Sequence, residues 1–253
     1  MKGEKMIRIP IALQAYSLRH TFAEHPLATM KLIKEAGYDG VEFYGNSFAP
    51  EFYASLLRES GLVCAGWHTG FEDLLNNFDE VVRRNLAVGN RNIAIPYLKL
   101  EDNVRWANAA AAMNKMAEKL ARYGIRLGYH NHAHEFIPGE DGMTPWEVVS
   151  RNTYKEVFMQ LDTGNAMVGN ADVLAELEKN PWRARTVHFK PHSHTLGTKP
   201  AIGEDDTDWE KVITFCETRG ATEWIIVEYE NAENPEDAIR KCAAELRRLR
   251  PVE

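Results

Sequence analysis

A chain of 253 residues with 44% hydrophobic and 26% charged residues has the make-up of a folded globular protein, which excludes disorder as the starting assumption. Its net charge of -7, spread over a mixed sequence, argues against a phosphate-backbone partner, which would favour a basic face. Cys64, Cys216 and Cys242 form no CxxC pair, which suits a reducing compartment.

The start, Met1-Lys2-Gly3-Glu4-Lys5, is charged and carries no apolar stretch of signal-peptide length. No later run approaches the roughly 18 apolar residues of a membrane helix. A cytoplasmic protein without membrane or nucleic-acid partners is therefore expected. From Arg8 to Arg19, Ile9-Pro10-Ile11-Ala12-Leu13-Gln14-Ala15-Tyr16 reads as a strand covered on both faces. A helix over about Pro26 to Ala36 stops at Gly37. Gly40-Val41-Glu42-Phe43-Tyr44 is a short strand with an acidic residue near its exit.

The rhythm repeats. A helix from about Pro50 to Ser60 precedes Leu62-Val63-Cys64-Ala65-Gly66-Trp67-His68, a strand that delivers a histidine. A helix over about Phe71 to Ala87 precedes Asn92-Ile93-Ala94-Ile95-Pro96, with Pro96 at the exit, where no ladder donor is needed. The longest helix, about Val104 to Tyr123, is stopped by Gly124. Then Ile125-Arg126-Leu127-Gly128 runs into Tyr129-His130-Asn131-His132-Ala133-His134-Glu135-Phe136, a strand that ends in a polar cluster. Thr144-Pro145-Trp146-Glu147 has the cap, proline and acidic third position of a helix start.

Val157-Phe158-Met159-Gln160-Leu161-Asp162 is the sixth strand, ending in a carboxylate. A helix over about Asp172 to Lys179, the strand Thr186-Val187-His188-Phe189-Lys190, and a helix over about Trp209 to Arg219 follow. Trp224-Ile225-Ile226-Val227-Glu228-Tyr229-Glu230 is the eighth strand, and Pro235 to about Leu249 closes the chain with a helix. Strands alternating with helices imply a parallel sheet, and eight such units close it into a (β/α)8 TIM barrel, a single domain over residues 1–253. A doubly wound open sheet would show a Gly-rich phosphate loop after its first strand, and Gln14-Ala15-Tyr16-Ser17-Leu18 is not one.

In a barrel the carboxyl ends of the strands converge on one mouth. The polar residues to be gathered there are Glu42, His68, His130, His132, Glu135, Asp162, His188, Lys190, Glu228 and Glu230; His134 reads as a loop residue. Asp162 and Glu228 each end a strongly apolar strand, where an unpaired carboxylate would be costly. Glu135, Asp162, His188 and Glu228 are the expected ligands of one divalent ion. Oxygen-rich ligands with a single nitrogen favour Mn²⁺, Mg²⁺ or Co²⁺, with Zn²⁺ less favoured in the absence of nearby cysteine.

At these residues the chain resembles the sugar phosphate isomerase/epimerase superfamily of xylose-isomerase-like TIM barrels. The resemblance rests on an ordered set of motifs: Gly37-Tyr38-Asp39-Gly40-Val41-Glu42-Phe43, Tyr129-His130-Asn131-His132-x-x-Glu135-Phe136, Leu161-Asp162-Thr163-Gly164-Asn165, Val187-His188-Phe189-Lys190 and Ile226-Val227-Glu228. It implies a single catalytic metal held by a Glu, an Asp, a His and a second Glu, which fall by motif on Glu135, Asp162, His188 and Glu228. Many relatives present the first glutamate at the strand end itself, where this chain has Tyr-His-Asn-His, so His130 or His132 is the alternative ligand. The chain also departs at Pro191-His192-Ser193-His194, where many relatives have an acidic residue. A DNA-repair endonuclease family on the same barrel uses three zinc ions. Its pattern wants histidines where Asn165 and Pro96-Tyr97 stand.

The function expected from this resemblance is a sugar isomerase or epimerase that abstracts a proton next to a carbonyl. Glu228 and either Glu135 or His132 are the expected acid/base pair; His68, Lys190, Glu42, Trp67 and His130 are expected to contact the sugar. The same enediolate chemistry with a leaving group gives the alternative, a dehydratase of inosose type or a lyase cleaving a 3-keto-glycoside. A catalytically silent metal-binding partner subunit is the third reading. An unphosphorylated sugar or cyclitol is the expected ligand, since no phosphate-binding Gly cluster is evident. Barrels of this kind commonly associate, so a homo-oligomer is the expected assembly.

Overall fold

The computed structural model describes residues 8–231 and 233–250; the charged residues 1–5 discussed above lie outside that range. Eight parallel strands, β1 (Ile11–Gln14), β2 (Gly40–Tyr44), β3 (Val63–His68), β4 (Asn92–Ile95), β5 (Arg126–His130), β6 (Phe158–Gln160), β7 (Thr186–Phe189) and β8 (Trp224–Val227), form one sheet in the order β6-β5-β4-β3-β2-β1-β8-β7. The edge strands β6 and β7 meet through a single parallel bridge, Asp162 to His188, which brings the ring to near closure as a TIM barrel. Two of the expected ligands are therefore the residues at the seam. No helix among the described residues is long and apolar enough to cross a membrane.

Strand residues are almost all buried because helices cover the barrel from outside. Each helix turns one apolar stripe inward. In Pro50–Ser60 the buried residues Tyr53, Leu56, Leu57 and Ser60 recur at helical spacing, and Pro50 opens the first turn. Gly37 follows Pro26–Ala36 with φ 103, a left-handed conformation in which a Cβ would be strained, so the helix ends where the sequence places its glycine. The capping box at Thr144 and Glu147 forms at the start of Pro145–Asn152 as read.

Three elements differ from the sequence reading, and the first and last of these differences reach the site. The first strand ends at Gln14 because the Gln14 side chain accepts the Tyr16 N–H at 3.1 Å; Ala15–Leu18 then turns as a 3-10 helix and Arg19–Glu24 as an α-helix. The helix read over Phe71 to Ala87 is two, Phe71–Asn76 and Phe78–Ala87, broken where Asn77 leaves helical backbone at φ −126, ψ 32. An extra helix, Thr163–Val168, follows Asp162 at once. Its threonine, glycine, asparagine and valine are weak helix formers, and it exists because the Asp162 side chain caps it.

Candidate active site

The cap on Thr163–Val168 divides the labour of Asp162. Oδ1 accepts the Asn165 N–H at 2.7 Å, while Oδ2 is buried with no hydrogen-bond partner. Asn131 holds the same residue by its backbone, accepting the Asp162 N–H at 2.8 Å and donating to its carbonyl at 3.3 Å. Leaving a buried carboxylate oxygen unpaired is costly. Burial pushes the Asp162 carboxyl up to about 7, against the pull of Lys190.

The unpaired oxygen lies among other ligand atoms. One donor atom from each of His130, Asp162, His188 and Glu228 falls within 4.8 Å of the others, and all four residues are buried. His130 Nε2 is 4.0 Å and His188 Nδ1 3.8 Å from Asp162 Oδ2; His188 Nδ1 is 2.7 Å from Glu228 Oε2. Two imidazoles and the Glu228 carboxylate gathered about the orphaned Asp162 oxygen fit a divalent cation, which would supply the missing partner. In this set the imidazole at the end of β5 stands where the sequence left a choice between a glutamate and a histidine.

Glu135 is held elsewhere. Its Oε1 accepts the Tyr129 hydroxyl at 2.6 Å and its Oε2 the His132 N–H at 2.8 Å, with His134 Nδ1 at 3.3 Å. It sits on the 3-10 turn His134–Phe136, and its carboxylate pins the loop after β5 instead of joining the four donors. Burial raises its pKa. His132 stands beside this loop, 5.3 Å from the His130 ring. Its Nδ1 is buried without a partner, and burial and Lys190 lower its pKa to about 4, so its ring is neutral at pH 7.

Lys190 closes the other side, its side chain only 3% exposed. Its Nζ lies 2.7 Å from Glu230, 3.1 Å from Asn165, 3.5 Å from Glu228 and 4.0 Å from Asp162. Burial would strip its charge, but Asp162, Glu228 and Glu230 outweigh that and hold the pKa above the usual lysine value. The same ammonium and the His188 ring overcome the burial of Glu228 and hold its carboxyl well below the usual range.

Beneath the four donors, Glu42 is buried between His68, at 3.1 Å, and His188, at 2.6 Å, with Gln14 and Gln160 at its sides. Burial disfavours its charge, yet the two imidazoles hold its pKa well below the usual carboxylate value. Burial likewise disfavours the His188 cation, and Glu42 and Glu228 raise its pKa to about 10. The His68 ring stacks on His188 at 5.1 Å. Trp67 alternates to the other side of β3, donates to the Gly45 carbonyl at 2.8 Å and packs on Phe43 and Tyr53, in the layer between strand and helix. Gln14, Asn131, Gln160 and Asn165 were not among the candidate site residues of the sequence; an uncharged amide within an apolar strand, such as Gln160 between Met159 and Leu161, was the available signal.

A family model described as xylose isomerase-like TIM barrel matches residues 30–249. The chain is similar to an inosose dehydratase of Bacillus licheniformis, 25% identical over 152 residues, or 53% of this chain and 49% of that enzyme. It thus spans about half the length of that relative. To the inosose dehydratase of Salmonella typhimurium it is 21% identical over 252 residues, covering 89% of this chain and 81% of the other. Among solved structures it shares the fold of a sugar phosphate isomerase/epimerase from Parabacteroides distasonis, with a TM-score of 0.83 at 21% identity over 99% of this chain and 98% of that one.

Proposed function

We propose, starting from the fact that the chain belongs to the xylose isomerase-like TIM barrel family, that it is a divalent-metal-dependent dehydratase or lyase. It acts on a keto sugar or keto cyclitol, removing a proton next to the carbonyl and expelling the oxygen on the next carbon. The observation that carries this reading is the unpaired Asp162 Oδ2 among His130, His188 and Glu228. A divalent ion held by these four residues would supply Lewis-acid polarisation of the substrate carbonyl. Two nitrogens and two oxygens suit Mn²⁺, Fe²⁺, Co²⁺ or Zn²⁺ better than Mg²⁺.

The protein's own groups set the proton traffic. Glu228 accepts the carbon-bound proton, a step that its low pKa makes dependent on how strongly the carbonyl is polarised. Lys190, 3.5 Å from Glu228, donates to the departing oxygen and is recharged from Glu228. One C–H and one C–O bond break, one C=C bond forms, and water or an alcohol leaves. Neutral His132, with its free Nδ1, orients the hydroxyl beside the carbonyl. Elimination is preferred because a single carboxylate base fits this arrangement, whereas a proton returned to the opposite face needs a second one there, and Glu135 is occupied by Tyr129 and His132. The names of the curated relatives support the same preference.

Isomerisation or epimerisation is the second reading, favoured by the fold shared with the Parabacteroides protein. The test is metal analysis of the purified protein, then a screen of inososes, ketoses and 3-keto-glycosides with Mn²⁺. A new C=C absorbance or a released alcohol is the expected outcome. A rearranged sugar carrying solvent deuterium would select the second reading, and a protein that takes up no stoichiometric ion would remove both.

A further inference from the structure

We infer that Glu42 is a positioning residue that decides which ring nitrogen of His188 and, through Gln160, of His130 is offered to the cation. This rests on the metal-binding reading above, and it assigns Glu42 a place beneath the substrate instead of against it. The backbone N–H of Tyr16 is an unambiguous donor. The Tyr16 N–H meets Gln14 Oε1 at 3.1 Å, so the other terminal atom of Gln14 is its NH2, which donates to Glu42 Oε2 at 2.7 Å. A carboxylate only accepts. The Gln160 atom 2.9 Å from Glu42 Oε1 is therefore also an NH2, and its second hydrogen goes to Thr186 Oγ1 at 2.7 Å.

That leaves Gln160 Oε1 as an acceptor, 3.1 Å from His130 Nδ1 and 2.8 Å from His68 Nε2. His130 thus carries hydrogen on Nδ1, and the nitrogen it turns toward Asp162 Oδ2 is Nε2. His188 donates from Nε2 to Glu42 at 2.6 Å, and the nitrogen it turns toward Asp162 and Glu228 is Nδ1. Two histidines from different strands are set in opposite senses by one carboxylate. Histidine ligands commonly donate their second N–H to such a partner, which fixes tautomer and ring orientation.

The backbone is shaped for this carboxylate. Pairing between β2 and β3 slips at Val41/Glu42, so that Val41 faces Cys64 and Glu42 faces Gly66, a bulge of the kind that re-aims a side chain. A Cβ on Gly66 would fall on Glu42 Oε1. His68, His130 and His188 also converge within 4.8 Å as a set of their own, but His68 Nε2, His130 Nδ1 and His188 Nε2 already have an acceptor in Glu42 or Gln160. The orphaned Asp162 oxygen marks the cluster above as the cation's place.

The test compares the wild type, Glu42→Gln and Gln160→Leu as full-length chains. Metal-stripped protein is titrated with Co²⁺ by its visible absorption, and histidine ring nitrogens of the Zn²⁺-loaded protein are read by ¹⁵N NMR. The wild type should show hydrogen on Nε2 of His188 and Nδ1 of His130, and each variant should bind Co²⁺ about 10- to 100-fold more weakly. Glu42→Gln sets an NH2 against another donor, and Gln160→Leu removes the acceptor of His130. A merely structural role would lower the melting temperature without moving ion affinity. Unchanged affinity in either folded variant, or the reverse nitrogen pattern in the wild type, overturns the inference while leaving the proposed function standing; a wild type that binds no ion overturns both. If neither variant folds, the wild-type nitrogen pattern decides.

Discussion

At the amino-terminal end of the barrel, Arg126 meets both oxygens of Glu223, at 2.8 and 2.5 Å, and Arg185 shares the same carboxylate at 2.8 Å. All three side chains are about one third exposed, so each charge has both a partner and water. At the opposite end the charged and imidazole groups are sealed from solvent: Glu42, His130, Asp162, His188, Lys190 and Glu228 are 0–5% exposed. There the pairing does not close, since one Asp162 oxygen has no hydrogen-bond partner. Charges that are satisfied and wet hold a fold together cheaply, whereas buried charges left short of a partner cost stability unless something else binds them. The difference supports the proposal that the carboxyl-terminal end is where a ligand binds.

Breaking the upper end should have the largest effect. Asp162→Ala removes the oxygen that has no other partner, so stoichiometric ion binding should be lost and turnover should fall about 10³-fold, or about 4 kcal/mol. Metal content and kcat/KM of the purified variant check this, and a variant that keeps its ion and its rate would erase the distinction between the two ends. A smaller effect sharpens the same contrast. Metal-stripped wild type should gain about 2.7 kcal/mol of stability when a ligating ion is restored at 100 times its dissociation constant. Asp162→Asn, which keeps the Oδ1 cap but lacks the charge, should gain almost none. Denaturant melts with and without Co²⁺ separate the two.

Much of this was legible in the sequence, for reasons that can be named. The strand-helix alternation survives because each buried strand is a local apolar run and each helix carries its own stripe and stop, as at Gly37. Asp162, His188 and Glu228 stood out because charged or imidazole groups ending apolar strands are anomalous wherever the chain goes. Glu135 illustrates what was not legible. Its motif spacing says nothing of direction, and only the turn at His134–Phe136 sends its carboxylate to Tyr129 and His132. Gln160 escaped for the opposite reason: an amide among Phe158, Met159 and Leu161 carries no charge to draw notice, and its importance comes from residues 118 positions and 26 positions away in the chain. The helix Thr163–Val168 could not be read from propensity, because the residue that creates it is its cap.

The smallest expected effect belongs to the lower end and is the control for the others. Glu223→Gln keeps the volume and one acceptor but removes the charge shared by Arg126 and Arg185. Because these groups are partly solvated, water replaces much of what is lost, and the cost should be about 1 kcal/mol. For a domain of this size that lowers the melting temperature by about 2–4 °C. The proposed ion site lies at the other end of the strands, so ion affinity and turnover per folded molecule should equal those of the wild type. Thermal melts together with Co²⁺ titration test both halves. A change in ion affinity in Glu223→Gln would mean that the two ends are coupled through the barrel, and the unpaired oxygen of Asp162 would then no longer account for the chemistry by itself.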